Sequence, residues 1–332
     1  MTIAVGTQEP GDSPPGDARS AELRQALIAA VGAEGEVRFD EPLHRHTTLR
    51  IGGPADVWIA PDTIDCLRRI RALCHARGVA TSVLGAGSNL LVRDGGVRGV
   101  VLSSDRLRQL DFAPPADPGG PVEVYVEAGV TTGKLLSQAT RNDLGGVEFL
   151  GGVPGSIGGG LVMNAGTYLG EFKDVTTAVD SVAPDGTLVH RPAAECGFVY
   201  RGSALPRSEV IVAGYLRLPP RPRAEIEVAV RALRDRRKQR EPHGFPNAGS
   251  FFKNPPGDFA GRLIEAAGLK GTQVGSAQVA QAHANWILNV ADGPCGSARD
   301  TLQLIEQVRQ AVQQKFGVQL ELEVRLLGED PA

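Results

Sequence analysis

The chain has 332 residues and a net charge of −3 at pH 7, and 42% of its residues are hydrophobic. This composition is typical of a folded protein of roughly two or three domains, and the charge disfavours nucleic acid or an anionic membrane as a partner. No stretch approaches the ~18 apolar residues of a membrane helix, and the N-terminus lacks the pattern of a secretory signal. We therefore expect a cytoplasmic protein that holds any anionic ligand through local basic groups.

The four cysteines are far apart in the sequence and form no Cys-x-x-Cys pair. This spacing favours reduced, partly buried thiols over a disulfide framework or a metal site. The 42 glycines are more informative. Many stand in short clusters between apolar runs, where the backbone must turn sharply or come close to a ligand.

The N-terminal half alternates predicted helices and strands. Residues 1–20 are rich in Gly, Pro, Asp and Ser and predict a disordered tail. Ser20 is a candidate N-cap for a helix from Ala21 to Val31, and Asp62 for a second helix. A buried strand is predicted from Val79 to Leu84, directly before the first glycine cluster.

Alternation and turn signals continue along the chain. The segment from Val122 to Ala128 predicts a half-buried strand, and the segment from Thr132 to Asn142 predicts a helix. A β-hairpin is predicted from Val179 to Val189, since Asp-Gly stands at its centre. A strand from Val210 to Leu218 runs into prolines around Pro220, which indicate a domain boundary.

The C-terminal part predicts two helices and a closing strand. The helix from Ala224 to Arg240 is strongly basic, whereas the helix from Ala298 to Phe316 is amphipathic. The segment from Val318 to Leu326 alternates apolar and polar residues, as a strand does. The prediction is an α+β protein with a larger unit, residues 21–218, and a C-terminal unit, residues 219–332.

Two glycine clusters, residues 85–90 and 151–160, follow or flank predicted strands. Their backbone N–H groups could bind phosphate oxygens. Neither cluster matches the dinucleotide fingerprint or a P-loop, which disfavours a Rossmann domain and an ATPase. One such cluster alone fits a tight turn equally well, but two clusters with Ser88, Asn89 and Ser156 as hydrogen-bond donors favour a pyrophosphate ligand.

Seven motifs then carry a family resemblance. In chain order they are HTTLRIGGPA (46–55), GAGSNLLV (85–92), VPGSIGGG with MNAG (153–166), GFVYR (197–201), NAGSFFKNP (247–255), HANW (283–286) and ELEVR (321–325). The ordered set closely resembles the UDP-N-acetylenolpyruvoylglucosamine reductase (MurB) family from about residue 40 to 328. Each motif is moderately specific, whereas the whole series is very specific. The short spacing between Arg201 and Ser250 is similar to the second subtype of the family, which lacks an inserted tyrosine-bearing loop.

The resemblance implies a fold and a cofactor. The fold is an FAD-binding domain of the p-cresol methylhydroxylase/vanillyl-alcohol oxidase (PCMH/VAO) type, with two α/β subdomains, followed by an α+β substrate-binding domain. In this family both glycine loops wrap FAD. The matching cofactor positions are Gly85, Ala86, Gly87, Ser88, Asn89, Leu90, Gly129, Gly152, Pro154, Gly155, Ser156, Gly158, Gly159, Asn164, Ala165 and Gly166.

The resemblance also implies the UDP-N-acetylmuramate dehydrogenase reaction of cell-wall precursor synthesis. NADPH reduces FAD and leaves the site. UDP-N-acetylglucosamine enolpyruvate then binds where NADPH was and is reduced by the flavin. Ser250 matches the proton donor, and Arg201 and Glu323 match the pair that stabilises the intermediate beside the substrate carboxylate. Periodicity places Glu321 and Glu323 on the same face of the closing strand, so only the resemblance selects Glu323.

Four further residues match substrate-contacting positions, namely Tyr200, Lys238, Asn254 and His283. The resemblance places Lys238 against the substrate's diphosphate, whereas its position alone fits the solvated end of a basic helix equally well. Leu322 stands where the family usually has proline, which affects the local strand geometry but removes neither carboxylate. A monomer without a metal is expected.

Two other functions stay open from the residues alone. One is another flavoenzyme of the same superfamily, such as an oxidase of an alcohol or a phenol. The glycine loops contain no His or Cys for covalent flavin attachment, although His44 and His46 are nearby. The other is a non-catalytic sensor of FAD or a UDP-sugar. A degenerate relative should have lost at least one of Ser250, Arg201 and Glu323, which argues against the sensor.

Overall fold

The computed structural model describes residues 18–331. The predicted disordered tail, residues 1–20, lies outside the described residues except for its last three. The α-helices of the described chain are α1 (Ala21–Val31), α2 (Ile64–Ala76), α3 (Thr132–Arg141), α4 (Ile157–Met163), α5 (Arg223–Arg240), α6 (Ala260–Ala266) and α7 (Ala298–Phe316). None of these helices is long and apolar enough to cross a membrane.

The first subdomain is a mixed sheet covered by two helices. Its strands are β1 (Gly35–Pro42), β2 (Pro54–Pro61), β3 (Thr81–Leu84), β4 (Leu90–Val92) and β5 (Val97–Ser103). The sheet order is β1-β2-β5-β3, with β1 antiparallel and the other three parallel. Helices α1 and α2 bury Leu27 and Ile70 against Ile59 and Leu102 of the sheet. The Ser20 hydroxyl accepts a hydrogen bond from the Leu23 N–H at 3.3 Å, which confirms the predicted cap of α1.

The second subdomain is an antiparallel sheet. Its strands are β6 (Leu110–Phe112), β7 (Val122–Glu127), β10 (Thr176–Val182), β11 (Leu188–Pro192) and β12 (Val210–Leu218), in the order β11-β10-β12-β7-β6, and the short β8 (Gly166–Thr167) and β9 (Gly170–Glu171) form a separate hairpin. Helices α3 and α4 pack on this sheet, and Phe149 and Phe172 lie fully buried in the core between them. The predicted hairpin around Asp185-Gly186 is confirmed as β10 and β11.

The C-terminal unit is a small antiparallel sheet with two helices. Its strands are β13 (Asn247–Ser250), β14 (Gln273–Val274), β15 (Ala277–Val279) and β16 (Trp286–Asn289), in the order β13-β16-β15-β14, and the last strand, β17 (Arg325–Leu327), lies outside this sheet. Strand β17 instead pairs in parallel with β4 of the first subdomain. Leu49, Ile51 and Leu91 complete the core under α6 and α7. The C-terminal unit is therefore joined to the first subdomain by both a strand pair and a shared core.

Two local predictions in the first subdomain are wrong. Thr63, not Asp62, caps α2, since the Thr63 hydroxyl accepts the Cys66 N–H at 3.1 Å. The Asp62 carboxylate is used elsewhere, in an ion pair with Arg106. The predicted buried strand from Val79 to Leu84 is the short edge strand β3, in which only Leu84 is buried.

The predicted closing strand from Val318 to Leu326 is also wrong in extent. Only residues 325–327 form a ladder, and Leu322 makes a single bridge to Phe252. Leu320 and Val324 are buried as the alternation requires, but no neighbouring strand lies along residues 318–324. An alternating pattern therefore indicated burial here without a sheet.

Helix α5 belongs with the second subdomain. Ile226 and Val230 of α5 are part of the core around Phe149, and Arg221 before the helix pairs with buried Glu148 at 2.8 Å. We predict the domain boundary at residues 218/219 from the prolines, but the packing places the start of the C-terminal core after Arg240. The prolines separate a strand from a helix that returns to the same core.

Candidate functional site

The first glycine loop has a backbone that only glycine can adopt at its centre. Gly87 has φ of +61°, and a Cβ there would lie 2.1 Å from the His46 carbonyl oxygen. The Gly87 carbonyl accepts the Thr48 N–H at 3.1 Å. The loop that follows β3 is thus clamped against the 46–48 segment, which belongs to the first of the family-like motifs.

The two glycine clusters lie against each other. The Ser88 hydroxyl donates to the Pro154 carbonyl at 3.3 Å. A Cβ on Gly85 would lie 2.7 Å from the Ser156 hydroxyl oxygen, and one on Gly155 would lie 3.2 Å from the Ser88 hydroxyl oxygen. Clusters that are distant in sequence therefore form the two walls of one site.

A third segment, residues 128–130, joins these walls. The Ala128 and Val130 carbonyls accept the N–H groups of Gly158 and Ile157, each at 2.9 Å, in the first turn of α4. Gly129 between them packs so closely that a Cβ would lie 2.0 Å from the Ser104 carbonyl oxygen. A missing side chain at this position is what allows the two subdomains to meet at the site.

Ser156 provides a test of whether these loops fit a phosphate group. Its hydroxyl is buried and has no hydrogen-bond partner among residues 18–331. Such a buried, unpaired polar group costs about 1–3 kcal/mol, so a missing partner is expected. The hydroxyl lies beside the space that a side chain on Gly85 would fill. A phosphate oxygen of FAD would supply an acceptor there, and the residues present therefore fit the cofactor.

The predicted cofactor residues occupy different parts of this site. Gly85 to Leu90 form the first loop and the start of β4, Gly152, Pro154, Gly155 and Ser156 form the second loop, Gly158 and Gly159 lie in the first turn of α4, and Asn164, Ala165 and Gly166 follow its end. The Asn164 side chain is committed to the protein, because it donates to the Val199 carbonyl at 3.1 Å and accepts the Lys173 N–H at 2.9 Å. Its amide therefore supports the turn that carries Arg201.

Arg201 and Glu323 form an ion pair at the mouth of the site. Backbone bonds between Val199 and Gly202, at 2.9 and 3.2 Å, close a tight turn that carries Arg201. Arg201 itself has φ of +55°, which is unfavourable for a residue with a side chain. The Arg201 Nε atom lies 3.0 Å from Glu323 Oε1, and the two side chains are 24% and 17% exposed. The structure thus joins two predicted catalytic residues from different units.

The environment of Glu323 differs from that of Glu321. Burial raises the pKa of the Glu323 carboxyl, and the nearby Arg201 and Lys253 only partly oppose this effect. The Glu321 side chain is 75% exposed and lies 3.5 Å from the Lys253 Nζ atom. The prediction that both glutamates lie on one face is wrong, because residues 318–324 do not form a regular strand. Only Glu323 faces the site.

Ser250 directly precedes Phe251, which is hydrogen-bonded to the backbone of Glu323. It ends β13, opposite Trp286, and follows Gly249, whose φ is +74°. The next residue, Phe251, accepts the Glu323 N–H through its carbonyl at 2.8 Å. Ser250 and Glu323 therefore lie on neighbouring backbone, and the Glu323 side chain reaches Arg201.

The four predicted substrate contacts divide into two kinds. Tyr200 is 52% exposed beside Arg201, and Lys238 is exposed near the end of α5. Asn254 and His283 are partly used by the protein. The Asn254 side chain accepts the Ala260 N–H at 3.1 Å, and His283 Nδ1 accepts the Asn285 N–H at 3.3 Å. Burial lowers the pKa of His283, so its ring is a neutral group with Nδ1 as an acceptor.

Arg325 is a residue of the site that the sequence analysis does not assign. Its Nε atom donates to Met163 Sδ, the last residue of α4, at 3.2 Å. Burial lowers the pKa of Arg325, and Arg207 nearby acts in the same direction. The Glu-Val-Arg motif was the available signal, since it places this cation two residues after Glu323.

Comparisons with known proteins agree with this geometry. Residues 55–191 match a family described as an FAD binding domain. Residues 241–327 match the family described as the C-terminal domain of UDP-N-acetylenolpyruvoylglucosamine reductase. The second match begins just after α5, in agreement with the packing. The predicted fold class, an α+β FAD-binding domain of the PCMH type followed by a C-terminal domain, is confirmed.

Whole-chain relatives extend the similarity across both units. UDP-N-acetylenolpyruvoylglucosamine reductase 2 of Symbiobacterium thermophilum is 44% identical over 93% of this chain and 98% of its own length. The reductase of Anaeromyxobacter dehalogenans strain 2CP-1 is 45% identical over 89% of this chain and 87% of its own length. The crystal structure of MurB from Thermus caldophilus has a TM-score of 0.73 and 36% identity, covering 89% of this chain and 99% of that one. The chain is an oxidoreductase with an FAD-binding domain, and it belongs to the UDP-N-acetylenolpyruvoylglucosamine reductase family.

Proposed function

We propose that the chain catalyses the NADPH-dependent, FAD-mediated reduction of UDP-N-acetylglucosamine enolpyruvate to UDP-N-acetylmuramate. The observation that supports this most strongly is the Arg201–Glu323 ion pair, because the main chain of Glu323 bonds to Asn89 of the first glycine loop and to Phe251, the residue after Ser250. An arginine, a carboxyl group and a hydroxyl are the groups that reduction of an enolpyruvyl double bond needs. They bind the carboxylate, respond to developing charge and supply a proton.

The glycine loops would hold FAD. The Ser156 hydroxyl and the backbone N–H groups of the loops would meet its pyrophosphate. When bound, FAD supplies hydride transfer, from NADPH to the cofactor and from the cofactor to the substrate alkene. The close approaches at Gly87 and Gly129 pack these segments tightly against the neighbouring backbone.

Arg201 would bind the carboxylate of the enolpyruvyl group. A guanidinium offers a planar pair of donors that matches a carboxylate. As negative charge develops toward that carboxylate, a fixed cation stabilises it without reorganisation. The strained backbone of Arg201, held by its tight turn, keeps the guanidinium in place.

Ser250 would protonate the carbon next to the reduced one, and Glu323 would assist Arg201. A free serine is a weak acid, so its hydroxyl must be assisted by its polar neighbours. Burial raises the pKa of the Glu323 carboxyl, and its ion pair with Arg201 opposes that shift. Ser250 directly precedes Phe251, whose carbonyl accepts the Glu323 N–H.

The remaining contacts would position the UDP-sugar. Lys238 is an exposed cation on α5, and it would meet the diphosphate. Tyr200, Asn254 and His283 would contact other parts of the substrate. The widely spaced cysteines, three of them buried, accord with a cytoplasmic location. That location and a monomeric state stay predictions.

Product analysis tests this proposal. Purified protein is incubated without oxygen with NADPH and UDP-N-acetylglucosamine enolpyruvate. We expect a product that is heavier than the substrate by two hydrogen atoms, formed in equal amount to the NADPH consumed. If no reduced sugar forms, and a parallel incubation in air consumes NADPH, the protein is an oxidase and the proposal is overturned.

A further inference from the structure

The Asn89 side chain connects the first glycine loop to the catalytic glutamate. Its Nδ2 atom donates to the Glu323 carbonyl oxygen at 3.1 Å. The Asn89 carbonyl oxygen accepts the Arg325 N–H, also at 3.1 Å. The two bonds bracket the segment from Glu323 to Arg325, so a single residue fixes both of its ends. Neither bond uses the backbone N–H of Asn89.

The other side of Glu323 is held by the C-terminal unit. The Glu323 N–H donates to the Phe251 carbonyl at 2.8 Å, and Phe251 follows Ser250 directly. The Glu323 peptide groups are therefore fixed from two sides, by the glycine loop and by the strand that ends at Ser250. Its carboxylate is left to meet Arg201 at 3.0 Å.

The same segment also touches the second glycine cluster. Strand β4 begins directly after Asn89 and pairs in parallel with β17, with Leu90 opposite Arg325. The Arg325 side chain reaches Met163 at the end of α4. Residues 323–325 thus lie against both walls of the cofactor site, and Asn89 supplies the one side-chain bond to the main chain of Glu323 among the described residues.

We propose that the Asn89 side chain is a positioning residue for Glu323, holding its main chain so that the carboxylate meets Arg201 above the glycine loop. This inference rests on the proposed function of the site. An amide is required because the partner is a carbonyl oxygen, which needs a donor. Aspartate has the same shape but only acceptor oxygens when ionised, and it would repel that carbonyl.

The test compares Asn89→Asp and Asn89→Ala with the wild-type holoenzyme by anaerobic rapid mixing. Because Asn89 also lies in the predicted cofactor loop, we expect any slowing of flavin reduction by NADPH to be at least about tenfold smaller than the slowing of flavin reoxidation. Flavin reoxidation by the enolpyruvyl sugar should slow at least about tenfold at saturating sugar, because the loss is in positioning rather than in binding. Hydrogen–deuterium exchange should rise about tenfold at the amides of residues 323–325 in both variants, with or without sugar.

Asn289→Asp provides a matched control. The Asn289 side chain donates to the Leu49 carbonyl at 3.0 Å, so it also joins the C-terminal unit to the N-terminal half, but its bonds within the described chain are not to residues 323–325. This variant should lower the melting temperature while leaving the ratio of the two half-reaction rates unchanged. A similar change in that ratio would mean that the Asn89 variants act by loosening the contact between the two units in general. That result would contradict the proposal.

Other outcomes separate this inference from the proposed function. Equal slowing of both half-reactions, or loss of FAD from both Asn89 variants, would show that the residue serves the cofactor and would overturn the inference. Unchanged exchange at residues 323–325 would overturn it as well. A wild-type protein whose reduced flavin ignores the sugar would contradict the proposed function, and the exchange data would still test the Asn89–Glu323 bond.

Discussion

The cofactor side and the substrate side of the site are organised differently. The cofactor side is fixed by close backbone contacts, in which a Cβ at Gly87 of the first loop or at Gly129 of the 128–130 segment would meet a carbonyl oxygen at about 2 Å. The substrate side presents exposed side chains, such as Tyr200 and Lys238. The proposed catalytic pair, Arg201 and Glu323, is mostly buried, with side chains that are 24% and 17% exposed. We infer that the cofactor side is preformed, whereas the substrate side is completed when the ligand binds.

This difference predicts how substitutions should act. Changes on the cofactor side should alter folding and FAD content, since the backbone has no alternative arrangement there. Changes on the substrate side should alter binding constants and leave the fold intact. Changes in the catalytic residues should alter single steps of the reaction.

The largest effect is expected for Gly87→Ala. The new Cβ would overlap the His46 carbonyl, and the positive φ disfavours any side chain. We expect the FAD-to-protein ratio to fall at least about tenfold and the free energy of unfolding to drop by about 1–3 kcal/mol. The ratio of visible to ultraviolet absorbance and a melting curve measure both quantities.

Gly133→Ala is the matched control for Gly87→Ala. Gly133 lies in α3, and nothing lies within 4 Å of the position that its Cβ would take. The substitution should stabilise the protein by up to about 1 kcal/mol and leave the FAD content unchanged. If both variants lost FAD equally, the close approach at Gly87 would not be what organises the cofactor side.

The next effect is that of Ser250→Ala. Flavin reduction by NADPH should stay nearly intact, whereas reoxidation by the enolpyruvyl sugar should slow by about 10²–10⁴-fold, because a proton donor is lost. Stopped-flow absorbance of each half-reaction gives the two rates. Ser208→Ala, at an exposed serine, should change neither rate. Equal slowing of both half-reactions would refute the donor assignment.

A smaller effect is expected for Lys238→Ala. Removal of an exposed cation from the diphosphate should raise the KM for the sugar about tenfold, with kcat changed less. Arg231 lies on the same face of α5, seven residues earlier, and is also exposed. Arg231→Ala should therefore leave KM unchanged. Steady-state kinetics measures both KM values. If they were equal, Lys238 would be a solvated helix residue that does not bind the diphosphate.

The smallest effect concerns stability and pH. Because burial raises the pKa of the Glu323 carboxyl in the folded state, its contribution to stability is present at low pH and is lost as the pH rises through that pKa. Glu323→Gln mimics the protonated form. The melting temperature of the variant minus that of wild type should therefore increase by a few degrees between about pH 4 and about pH 8.

A decrease in that difference with rising pH would contradict this expectation. It would mean that the ion pair with Arg201, together with Lys253, outweighs the burial of the carboxylate. The catalytic pair would then be a stabilising contact like any surface bridge. Burial of the Glu323 carboxylate would then cost no net stability.

The sequence predicted those parts of the fold that local chemistry determines. Helices α1, α3, α5 and α7 end within one residue of the predicted positions, because caps and apolar periodicity act over a few residues. The prolines around Pro220 predicted a domain boundary, and in the structure they stand between β12 and α5. They could not show that Ile226 and Val230 return to the preceding core, since that is a tertiary contact.

The candidate site shows the same division. The glycine loops and the predicted catalytic residues were available as motifs. The structure pairs the side chains of Arg201 and Glu323 and bonds the Glu323 N–H to the residue after Ser250. The Asn89–Glu323 bond was not available, because the parallel pairing of β4 with β17 joins distant segments and has no local signature. A strand was wrongly predicted over residues 318–324 for a related reason, since buried and exposed residues alternate there without a partner strand.

The most direct test of the central claim is the visible spectrum of the purified protein during an anaerobic titration. We predict flavin bands that bleach when NADPH is added and return when UDP-N-acetylglucosamine enolpyruvate follows. A yellow protein whose bleached bands ignore the sugar would contradict the proposed reaction, and a colourless protein that cannot take up FAD would contradict the account of the glycine loops.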